Sequence, residues 1–137
     1  MKPSGMGMRI LVKDFSRMFD FYKDIMGYEV FWGDRKTSYA SFAVPGEAEP
    51  AFSIQQKEGY SEYKGYEDIG EQIKSDYIVL CLVQDDIDNY YEYLKEKGVE
   101  FIGKPRDISD WYHRCVFFRD PEGNLIHIAG PMKDNKS

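Results

Sequence analysis

The chain has 137 residues, 18 Lys and Arg against 24 Asp and Glu for a net charge of −6, and an aromatic share of 16% from 11 Tyr, 9 Phe and 2 Trp. At this length a single domain buries roughly two-thirds of the surface its unfolded chain exposes, so a core can form without disulfide or metal staples. The negative charge, with no basic stripe to offset it, argues against nucleic acid as a partner, and no apolar run approaches the ~18 residues that a membrane span needs.

Cys81 and Cys115 both lie in apolar runs, and residues 1–7 carry neither a signal-peptide pattern nor an Arg-rich amphipathic one. A reduced, cytoplasmic protein is the expectation. The acidic surface serves solubility or attracts a cationic ligand. The aromatic excess suggests a lined cavity, a homodimer interface, or both.

In chain order, Ile10 to Val12 predicts a short strand running into Asp14-Phe15-Ser16, where Asp14 or Ser16 can cap a helix. Met18, Phe21, Tyr22 and Ile25 follow at i, i+3, i+4 and i+7, the spacing of one buried helical face, and Gly27 is placed to end that helix. Tyr28 to Trp32, Tyr39 to Val44 and Ala51 to Gln55 then read as strands, giving β-α-β-β-β. The second half repeats the plan. Strand Tyr77 to Val83 leads to the cap Asp85-Asp86, a helix with Ile87, Tyr90, Tyr91 and Leu94 on one face, and Gly98. Strands are then expected at Val99 to Ile102, His113 to Arg119 and Leu125 to Ala129. Gly27-Tyr28-Glu29-Val30 and Gly98-Val99-Glu100-Phe101 match at a displacement of 71 residues. The expected organisation is therefore one domain over residues 1–137, with a module at about 8–56, a linker at 57–76 and a second module at about 77–130. The linker carries Tyr60, Tyr63 and Tyr66, read as anchors, and residues 131–137 are expected to fray.

The best-specified segment is Arg119-Asp120-Pro121-Glu122-Gly123-Asn124 followed by Leu125-Ile126-His127-Ile128, a strand, a tight turn and a second strand. Pro121 pre-sets a turn φ, and Gly123 and Asn124 both tolerate the positive φ of a chain reversal. Such a turn fixes His127 on one face of a sheet.

This closing hairpin resembles that of the glyoxalase, bleomycin resistance protein and dioxygenase superfamily, the vicinal-oxygen-chelate fold. So do the twofold β-α-β-β-β plan, the element Val12-Lys13-Asp14 with Phe21-Tyr22-Lys23-Asp24 and Met26-Gly27, and the element Asp85-Asp86-Ile87-Asp88 with Lys97-Gly98-Val99. The resemblance covers about Met8 to Gly130. It implies an α+β fold of two curved mixed sheets around a cleft, often in a homodimer. In metal-using members four positions supply ligands, and here they fall at Gly7 or Met8, near Gln55, at Ile78 or Val79, and at His127, where those members usually carry glutamate. One imidazole plus one amide does not make a metal site, so the expectation is no metal and no other cofactor.

His127 then has three readings: a packed pocket histidine, a polar ligand contact, or a remnant metal ligand. His113 lies far from the turn, and the expected register does not place it beside His127. Lys104-Pro105-Arg106-Asp107 followed by Trp111-Tyr112-His113-Arg114 resembles part of the bleomycin resistance branch, whose members lack the metal ligands and bind a cationic aromatic antibiotic; Tyr112 replaces that branch's glycine. Trp111 and Tyr112 offer flat stacking faces, or Trp111 seals a strand entry. Arg114 reads as a surface or salt-bridged strand residue rather than as an anion clamp. No catalytic nucleophile and base stand out, and Asp85-Asp86 reads as a helix cap. The expected ligand-facing residues are His127, Trp111, Tyr112, Gln55, Tyr39 and Trp32. The leading reading is a metal-independent protein that binds an aromatic or cationic small molecule. The alternatives are a metal-dependent glyoxalase-like lyase, isomerase or dioxygenase with atypical ligands, and a structural dimer with a filled cleft.

Overall fold

In the computed structural model, which describes residues 1–2, 4, 6–58, 78–109 and 113–133, the chain divides into two units, Met1–Gln72 and Ile73–Ser137. Unit 1 contains strand β1 (Arg9–Val12), helix α1 (Phe15–Asp20), and strands β2 (Glu29–Trp32), β3 (Tyr39–Ala43) and β4 (Phe52–Gln56). Its sheet order is β1-β4-β3-β2, with β1 parallel to β4 and the other pairs antiparallel. Unit 2 repeats this with β5 (Val79–Val83), α2 (Ile87–Glu96), β6 (Arg106–Ile108), β7 (His113–Arg119) and β8 (Leu125–Gly130), in the order β5-β8-β7-β6. The two units share one topology, an α+β plan used twice.

Both helices begin where the sequence places a cap. The Asp14 carboxylate accepts from the Arg17 amide at 3.3 Å, and that of Asp86 accepts from the Asn89 amide at 3.3 Å. The first helix departs from the expected pitch. After Asp20 it widens into a π-helical turn over Phe21–Ile25, closed by the bond from the Met26 amide to the Phe21 carbonyl at 2.9 Å. Gly27 (φ +80°) and Gly98 (φ +92°) stop the two helical segments in the left-handed region, where a side chain would be strained.

Most of the predicted apolar faces are buried, while Ile25, Tyr90 and Tyr91 are half-buried. In unit 1, Met18, Phe19 and Tyr22 pack on Ala40, Phe42, Phe52 and Ile54 of the sheet, with the Tyr22 ring 5.0 Å from Phe52 and the Phe19 ring 5.6 Å from Phe42. In unit 2, Ile87 and Leu94 of α2 are buried, as are Val116, Phe118, Ile126 and Ile128, the alternate residues on one face of β7 and β8. No described helix is long and apolar enough to cross a membrane.

The expected strand at Val99 to Ile102 is corrected. Phe101 forms only a single bridge to Phe118, and the Ile102 amide reaches the Phe117 carbonyl at 2.9 Å. The chain then turns at Gly103 and passes Pro105, which has no amide to donate, and regular pairing resumes as β6, which the sequence reading missed. Phe101 is held instead by its ring, 4.6 Å from Tyr91 and 5.1 Å from Phe118. The expected linker lies outside the described residues from residue 59 onward, as do residues 134–137 of the tail.

The β7–β8 turn is organised by Asp120, which is 4% exposed. Its Oδ1 accepts from the amides of Glu122 and Asn124, each at 2.9 Å, and its Oδ2 accepts from Asn124 Nδ2 at 2.7 Å. Positive φ falls on Gly123 (+90°) and not on Asn124, so Asn124 serves the turn through its side-chain amide. Arg114, as expected, is an ion-pair residue: it bonds Asp88 of α2 at 2.9 Å and Asp107 of β6 at 3.3 Å, tying helix and edge strand to β7. The bond to Asp88, foremost, holds its guanidinium above the ordinary arginine range.

Asp120→Ala strands two amide donors at a buried turn, and each such loss costs about 1–3 kcal/mol. Urea unfolding is expected to show a loss of about 2–4 kcal/mol for Asp120→Ala, with Asp85→Ala within about 0.5 kcal/mol of the parent. Equal effects from the two substitutions would contradict this account of the turn.

Candidate functional site

Each sheet has a second face, turned away from its helix, and strand alternation decides what that face presents. In unit 1, Tyr39 pairs with Gln55 and Ser41 with Ser53, while Arg9 pairs with Ser53 and Trp32 with Ser41. Because paired residues point to one side of a sheet, these side chains share the face opposite Phe42 and Ile54. The predicted Gln55, Tyr39 and Trp32 are therefore brought together, with the Trp32 and Tyr39 rings 5.6 Å apart.

Sequence reasoning missed Arg9. Its guanidinium carbon sits 5.3 Å above the centre of the Tyr39 ring, and its Nε donates to Ser53 Oγ at 3.3 Å. A concavity of about 530 Å³ opens over this corner, lined by residues that include Arg9, Tyr39, Ser41, Ser53 and Glu49. Gln55 and Trp32 stand on the same face but outside that lining.

In unit 2 the corresponding face carries His127. Its register partners are Phe117 on β7 and Cys81 on β5, and the Phe117 ring lies 4.5 Å from the imidazole. Alternation along β7 puts His113 and Cys115 on the same side as Phe117. On a flat strand His113 would stand about 13 Å from the level of His127, since residues advance about 3.3 Å each. The rings are nevertheless 5.6 Å apart, which overturns the expectation that His113 stands away from His127. The register itself is as expected, and donor atoms of both imidazoles and of Cys115 lie within 4.8 Å of one another. A His-x-Cys pair in a predicted strand, with a histidine on the next, was the available signal. Trp111 and Tyr112 lie outside the described residues.

The ligand positions implied by the resemblance do not furnish a metal centre. Gln55 is flanked on its face by Leu11 and Tyr39, and Val79 pairs with Leu125. A hard or borderline metal needs carboxylate, imidazole or thiolate donors, and at these positions only His127 supplies one.

Burial, and secondarily the neighbouring His113, holds the His127 imidazole below its ordinary value, so the folded chain keeps this ring neutral. Burial pushes the Cys115 thiol up, opposed by Arg106 and Arg114, while Cys81 is exposed. The sign for His127 follows from linkage. The unfolded ring takes its proton near pH 6.5, before the folded one does, so stability falls as pH drops below about 6.5 until the folded ring also protonates. His127→Gln is expected to flatten the pH dependence of the urea midpoint below about pH 6.5, and an unchanged slope would refute this assignment.

Comparison with known proteins gives a consistent affiliation. Residues 7–128 match the family model of the Glyoxalase/Bleomycin resistance protein/Dioxygenase superfamily. The chain is 34% identical over 123 residues to the uncharacterized protein YraH of Bacillus subtilis strain 168, covering 88% of this chain and 93% of that protein. It is 26% identical over 127 residues to the metallothiol transferase FosB of Staphylococcus epidermidis, covering 90% of this chain and 79% of that one. Among solved structures, the fosfomycin resistance protein FosX from Listeria monocytogenes superposes with a TM-score of 0.66 at 18% identity, covering 98% of each chain. A protein of unknown function from Agrobacterium tumefaciens superposes at 0.75 with 20% identity over 96% of this chain and 97% of that one, a likeness of fold. With the twofold topology and a family match over residues 7–128, the chain belongs to the glyoxalase, bleomycin resistance protein and dioxygenase superfamily.

Proposed function

We propose that this protein binds a small aromatic molecule, without a metal, in the concavity of unit 1. The observation that carries the reading is the concavity itself. At about 530 Å³ it falls within the roughly 300–1,000 Å³ typical of small-molecule sites, and it combines a flat ring, Tyr39, with a guanidinium, Arg9, and two serine hydroxyls. Tyr39 offers stacking. Arg9 is held over that ring and against Ser53 Oγ, a geometry suited to a planar carboxylate or another acidic group.

The chain's net charge of −6 would favour a cationic ligand, the expectation drawn from composition. That diffuse field is screened over about 8–10 Å at physiological salt, whereas Arg9 stands in the wall of the site. The local charge therefore decides the preferred end of the ligand. Glu49 lines the same concavity and suits an amine or another donor at the opposite end.

The alternative is a metal-dependent enzyme of the same superfamily, whether a glyoxalase-like lyase, a dioxygenase or a thiol transferase. The name of the FosB relatives supports it, and the donor-poor family positions at Gln55 and Val79 weigh against it. We extend the binding reading to a cytoplasmic homodimer. Phe31 and Trp32 on the edge strand β2 are 53% and 55% exposed and Val83 at the end of the edge strand β5 is 85% exposed, apolar surface that a second copy would cover.

Calorimetry on matched aromatics, one a carboxylate, one an amine, one a zwitterion and one neutral, tests the reading, with sedimentation equilibrium on the same samples. The carboxylate and zwitterion are expected to bind most tightly to a dimer, equally with and without EDTA. Arg9→Ala should erase the preference for the acidic group, and Tyr39→Ala should weaken every member about 3- to 10-fold beyond the loss of buried area. Equal affinities across the panel, no binding, or binding abolished by EDTA would overturn it.

A further inference from the structure

His113 and Cys115 on β7 and His127 on β8 face one side of the unit 2 sheet, and one donor atom from each lies within 4.8 Å of the others. We propose that these three side chains form a binding site for a soft divalent transition-metal ion, zinc in the first instance, held by two imidazole nitrogens and one thiolate. The site is not the set the superfamily resemblance implies, because only His127 occupies one of those positions and all three donors come from a single sheet. It shares no residue with the proposed ligand site, whose lining residues belong to unit 1.

The donor chemistry selects the metal. Two imidazoles and a thiolate match zinc, and three protein ligands leave a fourth position for water or another molecule. Tetrahedral zinc, with Zn–N near 2.0–2.1 Å and Zn–S near 2.3 Å, places its donors about 3.4–3.6 Å apart. The three atoms, within 4.8 Å, therefore need only side-chain rotations of about an ångström to close. The backbones that carry the donors are held by a continuous antiparallel ladder from Arg114↔Gly130 to Arg119↔Leu125. Of the three residues, Cys115 also lines a cavity of about 210 Å³ together with Gly103, Lys104, Arg106 and Phe117 among others. As the sulfur–metal bond forms, the Cys115 thiol releases its proton to solvent.

The decisive test uses full-length protein stripped with chelator, dialysed, and titrated with Co(II) as the spectroscopic stand-in for zinc. One Co(II) per chain should bind, with a thiolate-to-cobalt charge-transfer band in the near ultraviolet and intense visible bands of a tetrahedral ion, all lost on adding Zn(II). Cys115→Ser should abolish the charge-transfer band, and His113→Ala or His127→Ala should each weaken binding at least about 100-fold, the upper end of what even supporting residues cost. Cys81→Ser should change nothing, although Cys81 is the register partner of His127. Should a variant fold poorly, thiol labelling of the parent serves instead: Zn(II) should slow modification of Cys115 and leave Cys81 reacting at its former rate. No Co(II) uptake, uptake without the charge-transfer band, a band that survives Cys115→Ser, or no protection of Cys115 in the parent would overturn the proposal.

Discussion

The carboxylate of Asp120 is the contact on which the informative half of this molecule depends. It gathers two backbone amides and the Asn124 side chain into one turn and so fixes where β7 ends and β8 begins. Side chains alternate along a strand with period two, and a slip of one residue would carry every side chain of β8 to the opposite face. Ile126 and Ile128 would leave the helix side and His127 would take their place. With the register fixed, Phe117 faces His127 across the strands, and Cys115 and His113 follow along the same face. The histidine–cysteine cluster is thus a consequence of a turn made by residues that belong to no site.

Part of the aromatic excess closes the core of unit 1. In unit 1, Phe15, Phe19, Phe21, Tyr22, Phe42 and Phe52 are all buried between helix and sheet, with Tyr22 and Phe42 at 1% and 0% exposure. These rings pack beside a short helix and a π-helical turn, within which the Phe21 and Tyr22 rings stand 5.0 Å apart. The other described rings, Tyr39 and Trp32 among them, are mostly half-buried or exposed and remain for recognition. That split gives each sheet two roles, one face closing a core and the other presenting polar and ring groups.

Legibility in the sequence follows from the range of the interaction involved. Helix faces, caps, stop glycines and most strands depend on neighbours within a few residues, and Asp14, Asp86, Gly27 and Gly98 act where local rules place them. The strand at Val99 to Ile102 failed because Gly103 and Pro105 break the ladder at a point chosen by the packing of Phe101 against Tyr91 and Phe118, a contact between distant residues. Arg9 was invisible as a site residue for a similar reason: its partners Tyr39 and Ser53 lie on strands far along the chain. The approach of His113 to His127 is a contact between side chains four residue levels apart in the ladder, which no spacing rule supplies. The family positions, by contrast, were readable as donor-poor from residue identity alone.

The central claim is that one sheet face of unit 2 brings His113 to His127 with Cys115 between them, and ring-proton nuclear Overhauser effects in the metal-free protein test it most directly. Cross-peaks from His127 to both Phe117 and His113 are predicted, matching ring separations of 4.5 and 5.6 Å. A His127 ring that sees Phe117 and not His113 would contradict the account, leaving the register intact and removing the cluster.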